Sequence, residues 1–211
     1  MTPEEKARQN IDKQLDACGW KVQDKEHVNL SAATGVAVRE FALAQGCGEA
    51  DYMLFADGKA IGPLEAKPEG HTLTGVEVQS SKYQKGLPSG IPRWKMPLPF
   101  AYESTGVETR FTNFLDPEPR SRPVFAFHRP EMLLEWVQDT ASLRQRLRQL
   151  PPLITTDLWQ AQEKAIRNLE RSLAEDRPRA LVQMATGSGK TFMSINSAYR
   201  LAKFAKPLRR W

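Results

Sequence analysis

Apolar positions change their period several times along the chain, and each change marks an element. Ala7, Ile11 and Leu15 recur every four residues, one stripe of a helix. Thr2-Pro3-Glu4-Glu5 opens it with a threonine cap, a proline at the first helical position and a glutamate three residues after the cap, and Gly19 closes it ahead of Trp20. Val36, Val38, Phe41 and Leu43 partly alternate, which predicts a strand over Val38 to Leu43. Tyr52 to Phe55 and Ile61 to Leu64 are two further apolar runs flanking Asp57-Gly58, a strong tight-turn signal, so residues 48–67 read as a hairpin.

Beyond the hairpin, Pro68 to His71 reads as a loop and Gly75 to Lys85 as a short helix closed by Gly86. Residues 87–99 hold Pro88, Pro92, Pro97, Pro99 and Gly90, an irregular excursion that carries Arg93, Trp94 and Lys95. Strands are expected at Phe100 to Tyr102 and Val107 to Phe114, then a proline-rich loop from Asp116 to Pro123 and a helix from Pro130 to Val137. Ala141 to Leu150 places Leu143, Leu147 and Leu150 on one side with Arg144, Arg146 and Arg148 between them, and stops at Pro151-Pro152, where a domain boundary belongs. Those arginines read better as a solvated basic face than as phosphate contacts. Asp157 would cap a helix running through Trp159, Ile166, Leu169 and Leu173. Arg179 to Gln183 has the pattern of a buried strand, Ala185 to Thr191 of a glycine loop, and Phe192 to Phe204 of a helix.

Composition narrows the class. The 211 residues suffice for one full domain and part of another, and 40% hydrophobic content is ordinary for a soluble globular protein. A net charge of +5 and a pI near 9.3 favour a polyanionic partner without establishing one. Cys18 and Cys47 form no CxxC pair, and His27, His71 and His128 lie far apart, which argues against a zinc site or a disulfide framework. No apolar stretch approaches a membrane span and no secretory segment opens the chain, so a cytoplasmic protein without a membrane partner is expected.

The hairpin carries the first candidate chemistry. Glu65 and Lys67, two apart on one strand, project together, while Ala66 points the other way. Asp51 joins them only on one condition. A tight two-residue turn at Asp57-Gly58 would set Asp51 opposite Leu64, so one extra residue is required, from a three-residue turn with Gly58 left-handed or from a bulge at Gly62-Pro63. Phosphodiester hydrolysis needs a neutralised phosphate and an activated water, and a Mg²⁺ held by one or two carboxylates provides both. Asp51 and Glu65 suit the metal, the Ala66 carbonyl offers an extra ligand, and Lys67 can orient the water or stabilise developing charge. The competing reading is of solvated charges on a surface hairpin. Whether Glu40 adds a third acid stays open.

This assembly resembles the PD-(D/E)xK nuclease superfamily, whose helix, mixed sheet and second helix present an Asp and a (Asp/Glu)-x-Lys triplet. The resemblance implies metal binding by Asp51 and Glu65 and catalysis by Lys67. Gln79-Ser80-Ser81-Lys82-Tyr83 looks like the QxxxY element of the RecB-like branch, in which Gln79 and Tyr83 would support the site and contact DNA.

A second signal is Ala185-Thr186-Gly187-Ser188-Gly189-Lys190-Thr191. Backbone amides of such a loop at a helix N-terminus cradle phosphates, with Lys190 reaching the β- and γ-phosphates and Thr191 the Mg²⁺. The strict GxxxxGK[ST] pattern would want glycine at Met184, so this is the relaxed form seen in helicases. Gln162 resembles the glutamine of the Q motif of superfamily-two helicases and translocases, where it reads adenine. A nuclease followed by a superfamily-two motor is the order found in the restriction (R) subunit of type I restriction-modification enzymes, and Leu158 to Gln162, Asn168 to Leu173 and Gln183 to Gly187 look like that family.

The resulting expectation is an α/β protein. A restriction-endonuclease-like mixed sheet flanked by helices would occupy residues 1–140, a helical linker 141–154, and an incomplete RecA-like P-loop domain 155–211. The chain reaches Trp211 before any DEAH-like acidic box, which reads as a truncated subunit or a fragment in which ATP hydrolysis would lack its catalytic acid. The resemblance implies Mg²⁺ and ATP as cofactors, and double-stranded DNA with specificity and methylation subunits as partners. In the intact system it implies ATP-driven pulling of DNA and cleavage away from the recognition site. A repair nuclease sharing the hairpin, or a non-catalytic remnant that binds DNA or a partner, are the alternatives.

Overall fold

The computed structural model describes residues 2–73, 86–177 and 179–206. The expected helix at Gly75 to Lys85, with Gln79 and Tyr83, lies outside them. The chain divides into two compact units, Met1–Asp139 and Thr140–Trp211.

In the first unit, α1 (Pro3–Ala17) starts with the expected capping box: the Thr2 side chain accepts from the Glu5 N–H and the Glu5 carboxylate accepts from the Thr2 N–H. Its buried stripe is Ala7, Ile11 and Leu15. Seven strands follow in a sheet whose spatial order matches the sequence: β1 (Trp20–Gln23), β2 (Gly35–Ala42), β3 (Glu49–Ala56), β4 (Lys59–Ala66), β5 (Phe100–Ser104), β6 (Thr109–Asn113) and β7 (Arg122–Val124). The β1–β2 and β4–β5 pairs are parallel and the others antiparallel, so the sheet is mixed. α2 (Pro130–Gln138) completes the unit.

Both helices cover one face. Ile11 and Leu15 of α1 and Leu133 and Val137 of α2 share a core with Trp20, Tyr52, Leu54, Leu64, Phe100 and Tyr102. The opposite face buries Val36, Val38, Met53, Phe55 and Ala60 beneath Leu87 and Leu98 of the proline-rich excursion. That excursion is stitched to the sheet, with Ala60 N–H donating to Pro92 O at 2.8 Å and the Trp94 indole donating to Ala56 O at 2.8 Å.

Three strand expectations need correction. β2 begins at Gly35, ahead of Val38, because β1 pairs with it from Trp20↔Gly35 onward. β1 itself and β7, which takes Arg122 and Pro123 from the end of the expected Asp116 to Pro123 loop, lie at the two edges of the sheet, where pairing with one neighbour creates a strand that local pattern does not announce.

The second unit holds α3 (Leu143–Arg148), α4 (Gln160–Ala174) and α5 (Lys190–Arg200), which runs into a π-helical turn, Leu201–Ala205. α4 does not start from Asp157: Trp159 is its cap residue, and the Trp159 N–H donates to Gln162 Oε1 at 3.0 Å. Arg200 binds α4 to α5 through Glu170 at 2.6 Å and also donates to Pro151 O at 2.6 Å. Of the α3 arginines expected on a solvated face, Arg144 and Arg146 are drawn into the protein while Arg148 stays exposed. Arg144 pairs with Asp176 at 2.9 Å, Arg146 donates to the Ala141 and Ala205 carbonyls, and Arg148 to Ala174 O at 3.3 Å. The strand expected at Arg179 to Gln183 is absent, and Leu181 is 93% exposed. A strand needs a neighbour to satisfy its backbone, and among the described residues of this unit none is extended beside it.

Candidate functional site

The first site is built by an irregularity in the hairpin. The turn at Asp57-Gly58 is the tight two-residue form, with both residues left-handed (φ +51° and +69°) and Ala56 paired with Lys59, so the three-residue alternative is not adopted. The extra residue enters further along. Phe55 pairs with Ala60 but Leu54 pairs with Gly62, leaving Ile61 as the bulge, one position before the Gly62-Pro63 pair. From there Met53 faces Pro63 and Tyr52 faces Leu64, and one more step of that register sets Asp51 opposite Glu65. Gly62 is required for another reason: a Cβ there would lie 2.3 Å from the Phe100 carbonyl oxygen, where β5 closes on β4.

The structure therefore brings Asp51, Glu65 and Lys67 together. Asp51 Oδ2 accepts from the Ala66 N–H at 2.9 Å, and Lys67 Nζ stands 3.4 Å from Glu65 Oε2. The Lys67 backbone is pinned by its N–H to Ser104 O at 2.8 Å. Glu65 is nearly fully buried, and its Oε1 is a buried oxygen with no hydrogen-bond partner among the described residues. Burial, and secondly the negative charge of Asp51, push its carboxyl up to about 7 despite the opposing pull of Lys67.

Two charged neighbours, Arg8 and Glu103, have no signal in the hairpin, and Glu40, the open third acid, meets the site through Arg8. Arg8 of α1 places Nη2 2.5 Å from Asp51 Oδ1, and its guanidinium lies 3.4 Å from both Glu4 and Glu40. Glu40 has a left-handed backbone, φ +49°, in the middle of β2, and also meets Lys25 at 3.2 Å. Glu103 sits level with Glu65 on the adjacent parallel strand and is 3% exposed. The only sequence hint to Arg8 was its place beside Ala7 on the edge of the buried stripe.

Chemically, two carboxylates and an orphaned buried oxygen form a hard-oxygen donor set that fits a divalent cation of the magnesium type. Among the described residues no three His, Cys, Asp or Glu side chains converge as a cage, so an ion here would rely on two carboxylates, water and its substrate.

The second site lies in the other unit. Gly187 and Gly189 both adopt left-handed φ, +79° and +74°, and α5 starts at Lys190 directly after them. Ser188 Oγ donates to Ala185 O at 2.6 Å, and Lys190 Nζ folds back to Met184 O and Ala185 O at 3.4 and 3.2 Å. Thr186 and Thr191 are exposed on either side of the loop. Gln162 is buried beneath it and is fully engaged by protein: Oε1 accepts from the Trp159 N–H, and Nε2 donates to Ser188 O at 3.1 Å and Gly189 O at 3.4 Å. A Cβ on Gly189 would meet that Nε2 at 2.2 Å.

Residues 155–208, which contain this loop, match the family model described as "Type III restriction enzyme, res subunit". Over 247 aligned positions the chain is 26% identical to the type I restriction enzyme EcoKI endonuclease subunit of Escherichia coli (strain K12), an alignment that takes in 94% of this chain and 21% of that protein. A solved fragment described as an HsdR subunit of a type I restriction enzyme from Vibrio vulnificus YJ016 is 20% identical, with a TM-score of 0.46, covering 99% of this chain and 39% of that one. The chain thus spans about a fifth of the curated relative it matches. Similarity to a type I restriction endonuclease subunit along nearly its whole length, with a restriction-enzyme res-subunit match over the phosphate loop, supports the chain being a fragment of a type I restriction enzyme R subunit.

Proposed function

We propose that the first unit is a Mg²⁺-dependent DNA endonuclease module of the PD-(D/E)xK type and that the second is part of an ATP-driven translocase, acting on double-stranded DNA within a type I complex with specificity and methylation subunits. The observation that carries the nuclease reading is the Ile61 bulge, which moves Asp51 into register with Glu65 at the point where Lys67 leaves the strand. A hairpin under selection only for stability has no use for that shift, since it costs a ladder pair.

Within the site, Asp51 and Glu65 would hold the metal, which supplies charge neutralisation at the phosphate and a more acidic bound water. Lys67 is placed to donate to the attacking water or to a phosphate oxygen, and its proximity to Glu65 keeps the ammonium over the acids. Ala66 fixes Asp51 through its N–H. Burial of Glu65 gives this pair a low-dielectric side on which charge interactions count for more. Gln79 and Tyr83 remain proposed DNA-side supports on the strength of the family pattern.

In the second unit, the amides of Gly187 to Lys190 would meet nucleotide phosphates, with Lys190 swinging from its carbonyl partners to the β- and γ-phosphates and Thr191 meeting the accompanying Mg²⁺. Similarity to a restriction-enzyme res-subunit model over 155–208 is consistent with ATP as that nucleotide.

Nicking of supercoiled plasmid in Mg²⁺ tests the nuclease assignment. Wild type should nick, while Asp51→Asn and Lys67→Ala should lose at least roughly a hundredfold in rate, the scale of removing one charge-stabilising group. Equal rates for all three sink the site.

A further inference from the structure

We infer that Arg8 is an internal counter-cation that a divalent metal ion displaces from Asp51, so that metal entry into the nuclease site is an exchange of cations. This depends on the nuclease reading of Asp51 and Glu65. Both oxygens of Asp51 are engaged by protein: Oδ2 by the Ala66 N–H at 2.9 Å and Oδ1 by Arg8 Nη2 at 2.5 Å. The guanidinium occupies one lone-pair direction of Asp51 Oδ1 and repels an incoming cation, so an ion competes with it for that oxygen. Glu65 Oε1, buried and without a partner among the described residues, is an oxygen that could help hold the ion. A divalent cation between two carboxylates is attracted more strongly than one monovalent group on a single oxygen, so the exchange has a favourable direction.

The displaced side chain has somewhere to go. Glu4 Oε1, one helical turn earlier, and Glu40 Oε1 each lie 3.4 Å from the same guanidinium, near enough to take over its charge after a small rotation of a flexible stem. Glu40 reaches this position from a left-handed backbone that non-glycine residues seldom adopt, and such conformations recur where function needs them. Beside Asp51, Arg8 Nε is also buried without a partner among the described residues, so the guanidinium is not fully satisfied there. Arg8 therefore holds the acids apart from bulk cations and neutralises Asp51 until a metal arrives.

Mn²⁺ binding to the full chain without DNA, read from the free-ion electron paramagnetic resonance signal, tests this directly. Arg8→Gln should bind Mn²⁺ roughly tenfold more tightly than wild type, since a competing charge-assisted hydrogen bond is removed. Lys6→Gln, which removes a cation from the same helix that pairs with Glu69, should change affinity less than about twofold. In wild type, the Arg8 Nε–Hε resonance should move on Mg²⁺ titration and saturate with the metal. Equal or weaker Mn²⁺ binding by Arg8→Gln, or an unmoved Arg8 resonance while metal binds, overturns the exchange and leaves the nuclease reading standing. No Mn²⁺ binding by wild type and Arg8→Gln alike overturns the metal reading and the exchange together.

Discussion

Lys67 Nζ stands 3.4 Å from Glu65 Oε2, yet the Glu65 carboxyl is pushed up to about 7. Burial outweighs the neighbouring ammonium because desolvation acts on the whole carboxylate, whereas Lys67 is partly exposed and screened, and Asp51 adds repulsion. The pair is therefore poised for a cation of higher charge than lysine.

The pH dependence follows with a definite sign. Glu65 keeps its proton in the folded chain up to about 7, while an unfolded glutamate loses its own near 4.5. Between those values the folded state binds more protons, so stability falls as pH rises through that window and levels off above it. The loss should reach roughly 3 kcal/mol at that spacing of pKa values. Urea denaturation at several pH values should show this slope for wild type and a flatter one for Glu65→Gln. Metal affinity should move the other way, rising from pH 6 to 8 as the carboxyl ionises, and a pH-independent Mn²⁺ affinity would contradict the assignment.

Gly62 leads to a second expectation. The Phe100 carbonyl oxygen sits 2.3 Å from where a Cβ would be, and backbone cannot yield as a side-chain tip can. Gly62→Ala should destabilise the chain by roughly 1–3 kcal/mol, the cost of overpacking. Gly58→Ala, whose added Cβ meets nothing within 4 Å, strains only the turn. A denaturant midpoint for Gly62→Ala no lower than that of Gly58→Ala would show that β5 retreats freely.

The hairpin and α1 were legible because their signals are local. Asp57-Gly58 specifies its turn, and Thr2, Pro3 and Glu5 specify a helix start. Even the bulge could be demanded in advance, since Asp51 and Glu65 cannot align without one extra residue; its place at Ile61 depended on how β5 closes over Gly62 and was not readable. Arg8, Glu40 and Glu103 join the site through pairings across 32 residues or more, or through strand register, which no spacing rule reports. Arg179 to Gln183 shows the converse failure, an apolar run with strand character that finds no pairing partner among the described residues.

Arg200 is almost buried between α4 and α5, held by Glu170 at 2.6 and 3.1 Å and by the Pro151 carbonyl. Glu170→Ala would strand that charge with carbonyl partners only. Breaking one half of a buried pair costs on the order of 3 kcal/mol. Hydrogen exchange of the α4 and α5 amides should accelerate accordingly, with β3 and β4 unaffected. Unchanged exchange in α5 would mean that the carbonyls of Pro151 and, at 3.4 Å, Pro152 suffice to hold Arg200.

Gln162 gives the last prediction, because its amide is spent on the phosphate loop. Its Nε2 reaches Ser188 O and Gly189 O, and its Oε1 closes the start of α4. A side chain so engaged supports the loop that meets phosphates, which every nucleoside triphosphate shares. Gln162→Ala should then weaken ATP, GTP and inorganic triphosphate by a similar factor, roughly five- to tenfold for two lost hydrogen bonds. A glutamine that leaves the loop to read adenine would give a different pattern, with ATP weakened and the other two untouched. Calorimetric titration of the three ligands separates these outcomes. Loop amide exchange in the absence of ligand adds an independent check: the amides of 186–189 should exchange faster in Gln162→Ala, and an unchanged rate there would remove the bracing role.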